Sequence, residues 1–557
     1  MQFLQCIHIR KNVLNTKTDK IVLIGKEQNG EKKHKIIENP SFSYYITLPE
    51  YWDGKVRDHI SIDKVKKFGC NYNDLFKSMA KNIKDQKILN YYRDSCNSPD
   101  YYSRMKDMHL DYRYHNTDMN ICDYYIDKFL DMYPTTDEKG NPQNYFGLSK
   151  AFFDIEVDSS NIIGFPDPSQ ANCPINIITL VDDNFNVYIL TLNYNFEGYN
   201  KVINNFDNDI LPKLKEKYKN IEESAKKEFN FELITFDKEE DLIKEFFSII
   251  NYVIKPDICT AWNIAFDFVY LYNRLIKLNL EPSEIISHED FKYKYVDYKL
   301  DMRNQDPGER NDTYIVTSYT MYMDSMCLYA NLSKMTGKKE SYSLDYIGEL
   351  ETGMNKDKFE DTNIKTAHLD NYEQFFLYNI QDSIMLEEIE RKTKNFDTIY
   401  SFSIMTRTRM DKVLKKTISL RNFAAKFYEK NGFYISNNRS KLFPKTNEKI
   451  DGAYVADPNL NDNEGLVVSV EKSNMIFEYV IDFDASSLYP SIIITFNISP
   501  NVSYGSIKLI DDDGNNITNE LMDDFMSCNP IKFANKWYNL PNISEMYNEL
   551  KIKLKED

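Results

Sequence analysis

The first candidates for chemistry are two carboxylates in a short apolar run. Asp154 and Glu156 stand two residues apart in AFFDIEV. Alternate residues of an extended strand point to the same side, so we predict that both carboxylates share one face and that Phe153 and Ile155 occupy the other. Such a pair can hold a divalent metal ion. Because the D-x-E pattern is common, it indicates a metal site only together with further residues.

Two further sets of residues follow along the chain. Asp267 comes after a short apolar run in ICTAWNIAFDFVYLYNRL, and an acid in such aromatic surroundings needs a partner to be buried at low cost. Tyr378 and Asp382, in FFLYNIQDSIMLEEIE, are four residues apart and share one face of a helix. Taken singly, each also fits a structural role, as a capping or surface aspartate or as a core tyrosine.

The conjunction of these residues favours hydrolysis of a phosphodiester. Their order is D-x-E, then N-x-x-F-D, then Y-x-x-x-D, within one region of mixed helices and strands. Two Mg²⁺ or Mn²⁺ ions held by Asp154, Glu156, Asp267 and Asp382 would activate water and stabilise the leaving 3′ oxygen, with Tyr378 orienting the water. The set resembles the three exonuclease motifs of the DEDDy 3′→5′ exonucleases, the proofreading domains of DNA polymerases.

A second motif lies in DFDASSLYPSIIITFNISP. We predict that the strand MIFEYVIDFD delivers Asp484 to a sharp turn and that Pro490 favours the first turn of the following helix. Free backbone N–H groups at such a helix start can hold a triphosphate. The run from Asp484 to Ser491, DASSLYPS, matches the palm motif D-x-x-S-L-Y-P-S. The chain therefore resembles the family B DNA polymerases, and among them the T-even phage type.

This resemblance implies roles for residues of the palm region. It implies that Asp484 is a catalytic metal ligand of the polymerase site and that Tyr489 excludes a ribose 2′-OH. The residues implied to contact the metal or the incoming nucleotide beside it are Ala485, Ser487, Leu488 and Tyr489. Gly452 and Ala453, in DGAYVADP, resemble the loop that contacts the template strand.

The similarity extends over nearly the whole chain from residue 146, with GFPDPSQA after the first exonuclease motif and SYSLDYIGELE before the third. One departure lies in the second motif, where the family usually has N-x-x-x-F-D. Here only Ile264 and Ala265 separate Asn263 from Phe266. Because the match to the family continues through VYLYNRL, Asp267 is identified as the aspartate of the second motif.

Two motifs that the family requires do not occur in the sequence, the fingers motif K-x-x-x-N-S-x-Y-G and the palm motif D-T-D. The segment 501–505 imitates the first but has Asn497 where the Lys should stand, and DDDGNN at 511–516 is typical of a hairpin turn. We therefore expect the N-terminal part of a polymerase, from a split gene or an interrupted reading frame. Its polymerase site would hold two metal ions only when a second chain completes it.

The order of strand-like and helix-like segments predicts an α/β (α+β multidomain) protein. We expect a β-rich N-terminal domain at 1–145, with strands to about residue 60 and helices from 60 to 135. A Gly/Pro/Asn-rich break precedes the second domain. The remaining predicted divisions are a ribonuclease H-like exonuclease domain at 146–395, a helical return segment of the N-terminal domain at 396–440 and the first part of the palm at 441–557, without fingers or thumb.

Composition excludes several classes of protein. The 557 residues are 42% hydrophobic, which excludes a disordered chain, and the net charge of −17 argues against a protein that coats nucleic acid by bulk charge. No apolar run is long enough for a membrane span or a signal peptide. The eight cysteines form no C-x-x-C or zinc-ligand pattern, so reduced thiols are expected. We expect a cytoplasmic protein, and the resemblance implies that it is phage-encoded and acts in the host cytoplasm.

Three functions remain open. The first is a replicative, proofreading polymerase subunit that binds primer-template DNA, single-stranded DNA and dNTP, and that synthesises DNA only with a C-terminal polymerase chain, through which it would also reach a sliding clamp. The second is a free-standing DNA 3′→5′ exonuclease. The third is a non-catalytic DNA-binding replication subunit. The intact exonuclease set counts against the third, and the palm motif counts against the second.

Overall fold

The computed structural model describes residues 1–55, 57–135, 143–334, 337–354, 365–437, 488–495, 531–533 and 536–538. The chain divides into two compact units, Met1–Asn447 and Glu448–Asp557. No helix among the described residues is long and apolar enough to cross a membrane.

Two three-stranded antiparallel sheets, a further short strand (β5, His59–Ser61) and four α-helices are described in the first part of the chain. The strands are β1 (Gln2–Ile9), β2 (Lys20–Lys26), β3 (Lys32–Glu38), β4 (Ser41–Thr47), β5 (His59–Ser61), β6 (Val65–Asn71) and β7 (Tyr114–His115), and the helices are α1 (Leu75–Asn82), α2 (Gln86–Cys96), α3 (Tyr101–Met108) and α4 (Ile121–Met132). One sheet has the order β1-β2-β3 and the other β6-β4-β7. Apolar residues from both sheets and from the helices share one core. The prediction of only helices from 60 to 135 is wrong at β6, which pairs with β4 along its whole length.

A six-stranded mixed sheet dominates the middle of the chain. Its strands are β8 (Lys150–Val157), β9 (Ile175–Asp182), β10 (Asn186–Leu192), β11 (Asn230–Phe236), β12 (Ile258–Ala261) and β15 (Met321–Asp324), beside the hairpin of β13 (Val296–Lys299) and β14 (Thr313–Val316). The order is β11-β10-β9-β8-β12-β15. Strand β8 is antiparallel to β9 and parallel to β12, which is parallel to β15.

Helices cover both faces of this sheet. They are α5 (Glu197–Asn204), α6 (Leu211–Ala225), α7 (Glu239–Ser248), α8 (Ile264–Lys277), α9 (Pro282–Ile286), α10 (Ser325–Ser333), α11 (Leu344–Thr352), α12 (Ala367–Asp370) and α13 (Tyr372–Thr393). Apolar residues of α7 and α8 pack with Phe153 and Ile155 of β8 on one face. Apolar residues of α5, α6 and α13 pack with β9 and β10 on the other. The predicted α/β class is confirmed by this layered arrangement.

The chain then returns to its N-terminal sheets. It runs through α14 (Asn395–Thr406) and α15 (Lys416–Lys430) to β16 (Phe433–Ile435), which pairs with β5. The helical character expected for 396–440 is present in these two helices. The division of the chain into four segments remains a prediction.

A buried ion cluster joins the first sheet to β12. Asp257 precedes β12 and forms ion pairs with Lys26 of β2 at 2.5 Å and with Lys32 of β3 at 2.9 Å. The same carboxylate accepts a hydrogen bond from the backbone N–H of Ser149 at 2.8 Å. Burial lowers the pKa of Lys32 to about 8, although Asp257 opposes that shift. The cluster therefore attaches the β2–β3 hairpin to the large sheet.

Helix α13 buries a carboxylate of a different kind. Glu387 is 3% exposed, and its Oε2 atom has no hydrogen-bond partner among the described residues. The Nε atom of Arg391 lies 4.0 Å from that oxygen. Burial raises the pKa of Glu387 to about 8, against the opposing charge of Arg391. Burial therefore favours the neutral form of this carboxyl in the folded protein.

In the second unit, the described residues form α16 (Leu488–Thr495) and a short hairpin of β17 (Ile531–Phe533) and β18 (Lys536–Tyr538). Pro490 lies in the first turn of α16, where the sequence predicts it.

Candidate functional site

Strand β8 lies inside the large sheet, between β9 and β12, and carries the first two carboxylates. Phe153 and Ile155 are buried in the apolar core, whereas Asp154 and Glu156 are only partly buried. Asp154 lies opposite Thr179 of β9, and Glu156 lies opposite Ile177. The alternation predicted from AFFDIEV is therefore present, and both carboxylates share a face of the strand.

Asp267 lies on the helix that follows the neighbouring strand, β12. It lies in the first turn of α8, which follows β12, and it is 5% exposed. Its pKa lies well above the usual range, first because burial disfavours the charged carboxylate and next because the negative charge of Asp154 is close. Backbone N–H groups of Asp267 itself and of Ile155 oppose this shift. Asp154 and Asp267 are thus brought together.

Helix α13 brings the third set of residues against β8 and β9. Tyr378 is partly buried and Asp382 is buried, one helical turn apart as the i, i+4 spacing predicts. Between them, Asn379 is fully buried. Its Nδ2 donates to Asp154 Oδ2 at 2.8 Å and to the Asp154 backbone oxygen at 3.3 Å. The Thr179 hydroxyl donates to Asn379 Oδ1 at 2.5 Å.

Sequence reasoning missed Asn379, which links three elements of the site. The amide connects β9, α13 and β8 through Thr179 and Asp154, so the orientation of the Asp154 carboxylate is fixed by a buried side chain. The only signal in the sequence is its position directly after Tyr378 on the same helix. Its partner Asp154 lies 225 residues earlier, which no local pattern reveals.

This donor set fits divalent metal ions. The negative charges of Asp154 and Asp267 repel each other. Among the described residues, no Lys or Arg forms an ion pair with Asp267. Hard divalent cations prefer carboxylate oxygens, and a cation between the two carboxylates would remove their repulsion. Asp154 and Asp267 could therefore hold such an ion, and Glu156 and Asp382 remain predicted ligands.

An exposed aromatic ring lies in the loop that follows β8. Phe165, in the loop after β8, is 80% exposed, and its ring packs against Phe266 with centroids 5.2 Å apart. Phe266 directly precedes Asp267 in the sequence. An exposed ring at this place can stack on a nucleobase, because every base presents a π face.

Most residues predicted for the palm lie outside the described part of the chain. These are Gly452, Ala453, Asp484, Ala485 and Ser487, together with the segments 501–505 and 511–516. Leu488 and Tyr489 begin α16, where the Tyr489 side chain is exposed. Their roles in nucleotide binding stay predictions.

Part of the chain is similar to known DNA polymerases. Residues 92–347 match the family model described as DNA polymerase family B, exonuclease domain; the match thus includes Asp154, Glu156 and Asp267 and ends before α13. The DNA-directed DNA polymerase of Escherichia phage RB69 is 28% identical over 398 residues, which cover 68% of this chain and 38% of that protein. The corresponding enzyme of Enterobacteria phage T4 is 25% identical over 366 residues, 64% of this chain and 36% of that protein.

A cellular relative shows the same partial coverage. DNA polymerase 1 of Sulfolobus acidocaldarius is 23% identical over 360 residues, which cover 63% of this chain and 35% of that protein. The chain thus spans little more than a third of the length of the curated relatives it matches.

Proposed function

We propose that this chain, which matches the exonuclease-domain model of the family B DNA polymerases over residues 92–347, removes nucleotides from the 3′ end of DNA as a proofreading 3′→5′ exonuclease. The observation that supports this proposal is the hydrogen bond to Asp154 of β8 from Asn379 of α13, the helix that also carries Tyr378 and Asp382, together with the electrostatic influence of Asp154 on Asp267. Carboxylates that are close and partly dehydrated are suited to a divalent metal and a phosphate.

Asp154, Glu156, Asp267 and Asp382 would hold two ions, Mg²⁺ or Mn²⁺. When bound, these ions supply an acidified water and neutralise negative charge on the scissile phosphate.

The side chains around the carboxylates have separate tasks. The Asn379 amide fixes the direction of the Asp154 carboxylate. The Tyr378 hydroxyl orients the attacking water as a hydrogen-bonding group. The exposed ring of Phe165 stacks on a base near the 3′ end of the single strand.

The test measures shortening of a single-stranded oligonucleotide labelled at its 5′ end, in the presence of Mg²⁺. The purified chain should produce a ladder of products shortened from the 3′ end, and the double variant Asp154→Ala, Glu156→Ala should produce none. A matched control, Asp207→Ala with Glu223→Ala, removes the same two residue types from exposed positions and should digest normally. Digestion by the Asp154, Glu156 variant at the rate of the control would refute the proposal.

We further propose that DNA synthesis requires a second chain. Two-metal nucleotidyl transfer needs another palm carboxylate beside Asp484, and the sequence contains neither D-T-D nor K-x-x-x-N-S-x-Y-G. A C-terminal polymerase chain would complete the site for dNTP and primer-template DNA and would supply any contact with a sliding clamp.

Reconstitution tests this second proposal. The chain alone should incorporate no dNTP at a primed template, and the cognate C-terminal chain should restore incorporation. Asp484→Ala should then abolish synthesis and leave the exonuclease intact, because the two metal sites share no ligand. Synthesis by this chain alone that is lost in Asp484→Ala would contradict the proposal. Exonuclease activity without synthesis in the presence of the second chain would favour the free-standing exonuclease.

A further inference from the structure

A second group of metal-ligating side chains lies near the end of β15, apart from the four proposed exonuclease carboxylates. Asp312 directly precedes β14, Asp324 ends β15 and Cys327 lies in the first turn of α10. One ligand atom from each of the three residues lies within 4.8 Å of the other two. Metal–ligand bonds of about 2.0–2.3 Å could therefore join all three atoms to one ion with small side-chain adjustments.

One oxygen of this group is buried without a partner. Asp324 is 7% exposed, and its Oδ1 accepts a hydrogen bond from the backbone N–H of Cys327 at 2.7 Å, which caps α10. Its Oδ2 is buried and has no hydrogen-bond partner among the described residues. A carboxylate oxygen that has left water without a replacement partner is costly, and a bound cation would supply the missing contact.

The hydroxyl of Tyr314 gives an independent indication of a ligand. Tyr314 lies on β14, is 8% exposed and also has no hydrogen-bond partner for its hydroxyl among the described residues. Tyr314 follows Asp312 by two residues, at the start of β14. Two buried polar oxygens that have no hydrogen-bond partner among the described residues, Asp324 Oδ2 and the Tyr314 hydroxyl, are suited to a polar ligand such as a metal ion with a bound water.

The charges around the cluster match a divalent cation. The Arg310 guanidinium pairs with Asp312 Oδ2, while Asp312 Oδ1 accepts from the backbone N–H of Asp301 at 2.7 Å. With Cys327 as a thiolate, the two carboxylates and the sulfur carry three negative charges against one positive charge of Arg310. The remaining charge of −2 is balanced by a single divalent ion.

We propose that Asp312, Asp324 and Cys327 bind a structural Zn²⁺ ion, with a water molecule in the fourth position. The sulfur ligand selects a borderline-soft ion such as Zn²⁺ over Mg²⁺ or Ca²⁺, which prefer oxygen alone. On binding, the Cys327 S–H bond breaks, its proton leaves to solvent and a sulfur–zinc bond forms, without any change in oxidation state. The ion would tie the start of β14 to the junction between β15 and α10.

Cobalt substitution tests the site directly. Co²⁺ is added to the full chain carrying Asp154→Ala and Glu156→Ala, so that the proposed exonuclease site does not compete. Binding should produce the near-ultraviolet absorption band of a cobalt–thiolate bond, and Zn²⁺ should abolish the band by displacement. Cys327→Ser should remove the band, Asp312→Asn should weaken cobalt binding by at least tenfold, and the matched control Cys96→Ser should change neither. No band, or a band that survives in Cys327→Ser, would overturn the proposal.

A measurement without substitutions keeps the test valid if Cys327→Ser does not fold. Alkylation of individual cysteines in the natural chain is followed by peptide mass spectrometry with and without Zn²⁺. Zn²⁺ should slow alkylation of the partly exposed Cys327 at least tenfold and leave the exposed Cys96 unchanged. Equal rates for Cys327 with and without Zn²⁺ would overturn the proposal.

Discussion

Replacing Asn379 tests whether a buried amide controls the proposed exonuclease site. Asn379→Ala removes the hydrogen bond to Asp154 Oδ2 and leaves the Thr179 hydroxyl without its acceptor. A hydrogen bond to a charged group contributes about 1.5–3 kcal/mol and a neutral one about 1 kcal/mol, so the free energy of unfolding should fall by about 3 kcal/mol. A side chain that orients a metal ligand typically affects metal affinity or activity by about 10- to 100-fold.

The assay separates positioning from a general loss of structure. The rate of 3′-end hydrolysis is measured against Mg²⁺ concentration and, separately, against DNA concentration. Asn379→Ala should raise the Mg²⁺ concentration for half-maximal rate by about 10- to 100-fold and leave the KM for DNA nearly unchanged. Asn379→Asp should be more harmful, because it places a second carboxylate against Asp154.

Ser383→Ala is the matched control for this prediction. Ser383 is buried on the same helix, and its hydroxyl donates to the Thr179 backbone oxygen at 3.0 Å. Its removal should cost about 1 kcal/mol of stability without a change in Mg²⁺ dependence. A folded Asn379→Ala variant with the Mg²⁺ dependence of this control would show that Asn379 does not position Asp154 for catalysis.

Three further predictions concern other parts of the structure. Phe165→Ala should raise the KM for single-stranded DNA about tenfold with little change in kcat, measured by steady-state hydrolysis; an unchanged KM would exclude base stacking there. Asp257→Ala leaves two buried lysines without their ion-pair partner and should lower the free energy of unfolding, measured by urea denaturation, by about 3–5 kcal/mol. The control Asp53→Ala, which removes an exposed ion pair, should lower it by less than about 1 kcal/mol. Burial raises the pKa of Glu387 to about 8 in the folded protein. The stability that the protonated carboxyl provides is therefore lost as pH rises from about 4.5 to about 8. Glu387→Gln should raise Tm more at pH 8 than at pH 5. An equal Tm change at both pH values would contradict the raised pKa.

The parts of the site that the sequence predicts are those set by local periodicity. The two-residue spacing of Asp154 and Glu156 determines a shared strand face, and the four-residue spacing of Tyr378 and Asp382 determines a shared helix face. Both relations follow from the geometry of one element alone.

The features that sequence reasoning missed depend on distant partners. Strand β6, in the sequence VKKFGCN, has a weak apolar pattern and is defined by its pairing with β4. Asn379 acquires its role only when α13 packs beside β8. The Asp312, Asp324 and Cys327 cluster has irregular spacing and becomes recognisable only where β14, β15 and α10 meet.

Manganese binding reports directly on the carboxylates of the proposed exonuclease site. Mn²⁺ bound to the full chain is counted by electron paramagnetic resonance, and hydrolysis of single-stranded DNA is measured in the same samples. We expect two bound ions in the natural chain, loss of at least one in Asp267→Asn together with the hydrolysis, and no change in the exposed control Asp207→Asn. Unchanged manganese binding and hydrolysis in Asp267→Asn would show that Asp267 does not hold a catalytic metal ion.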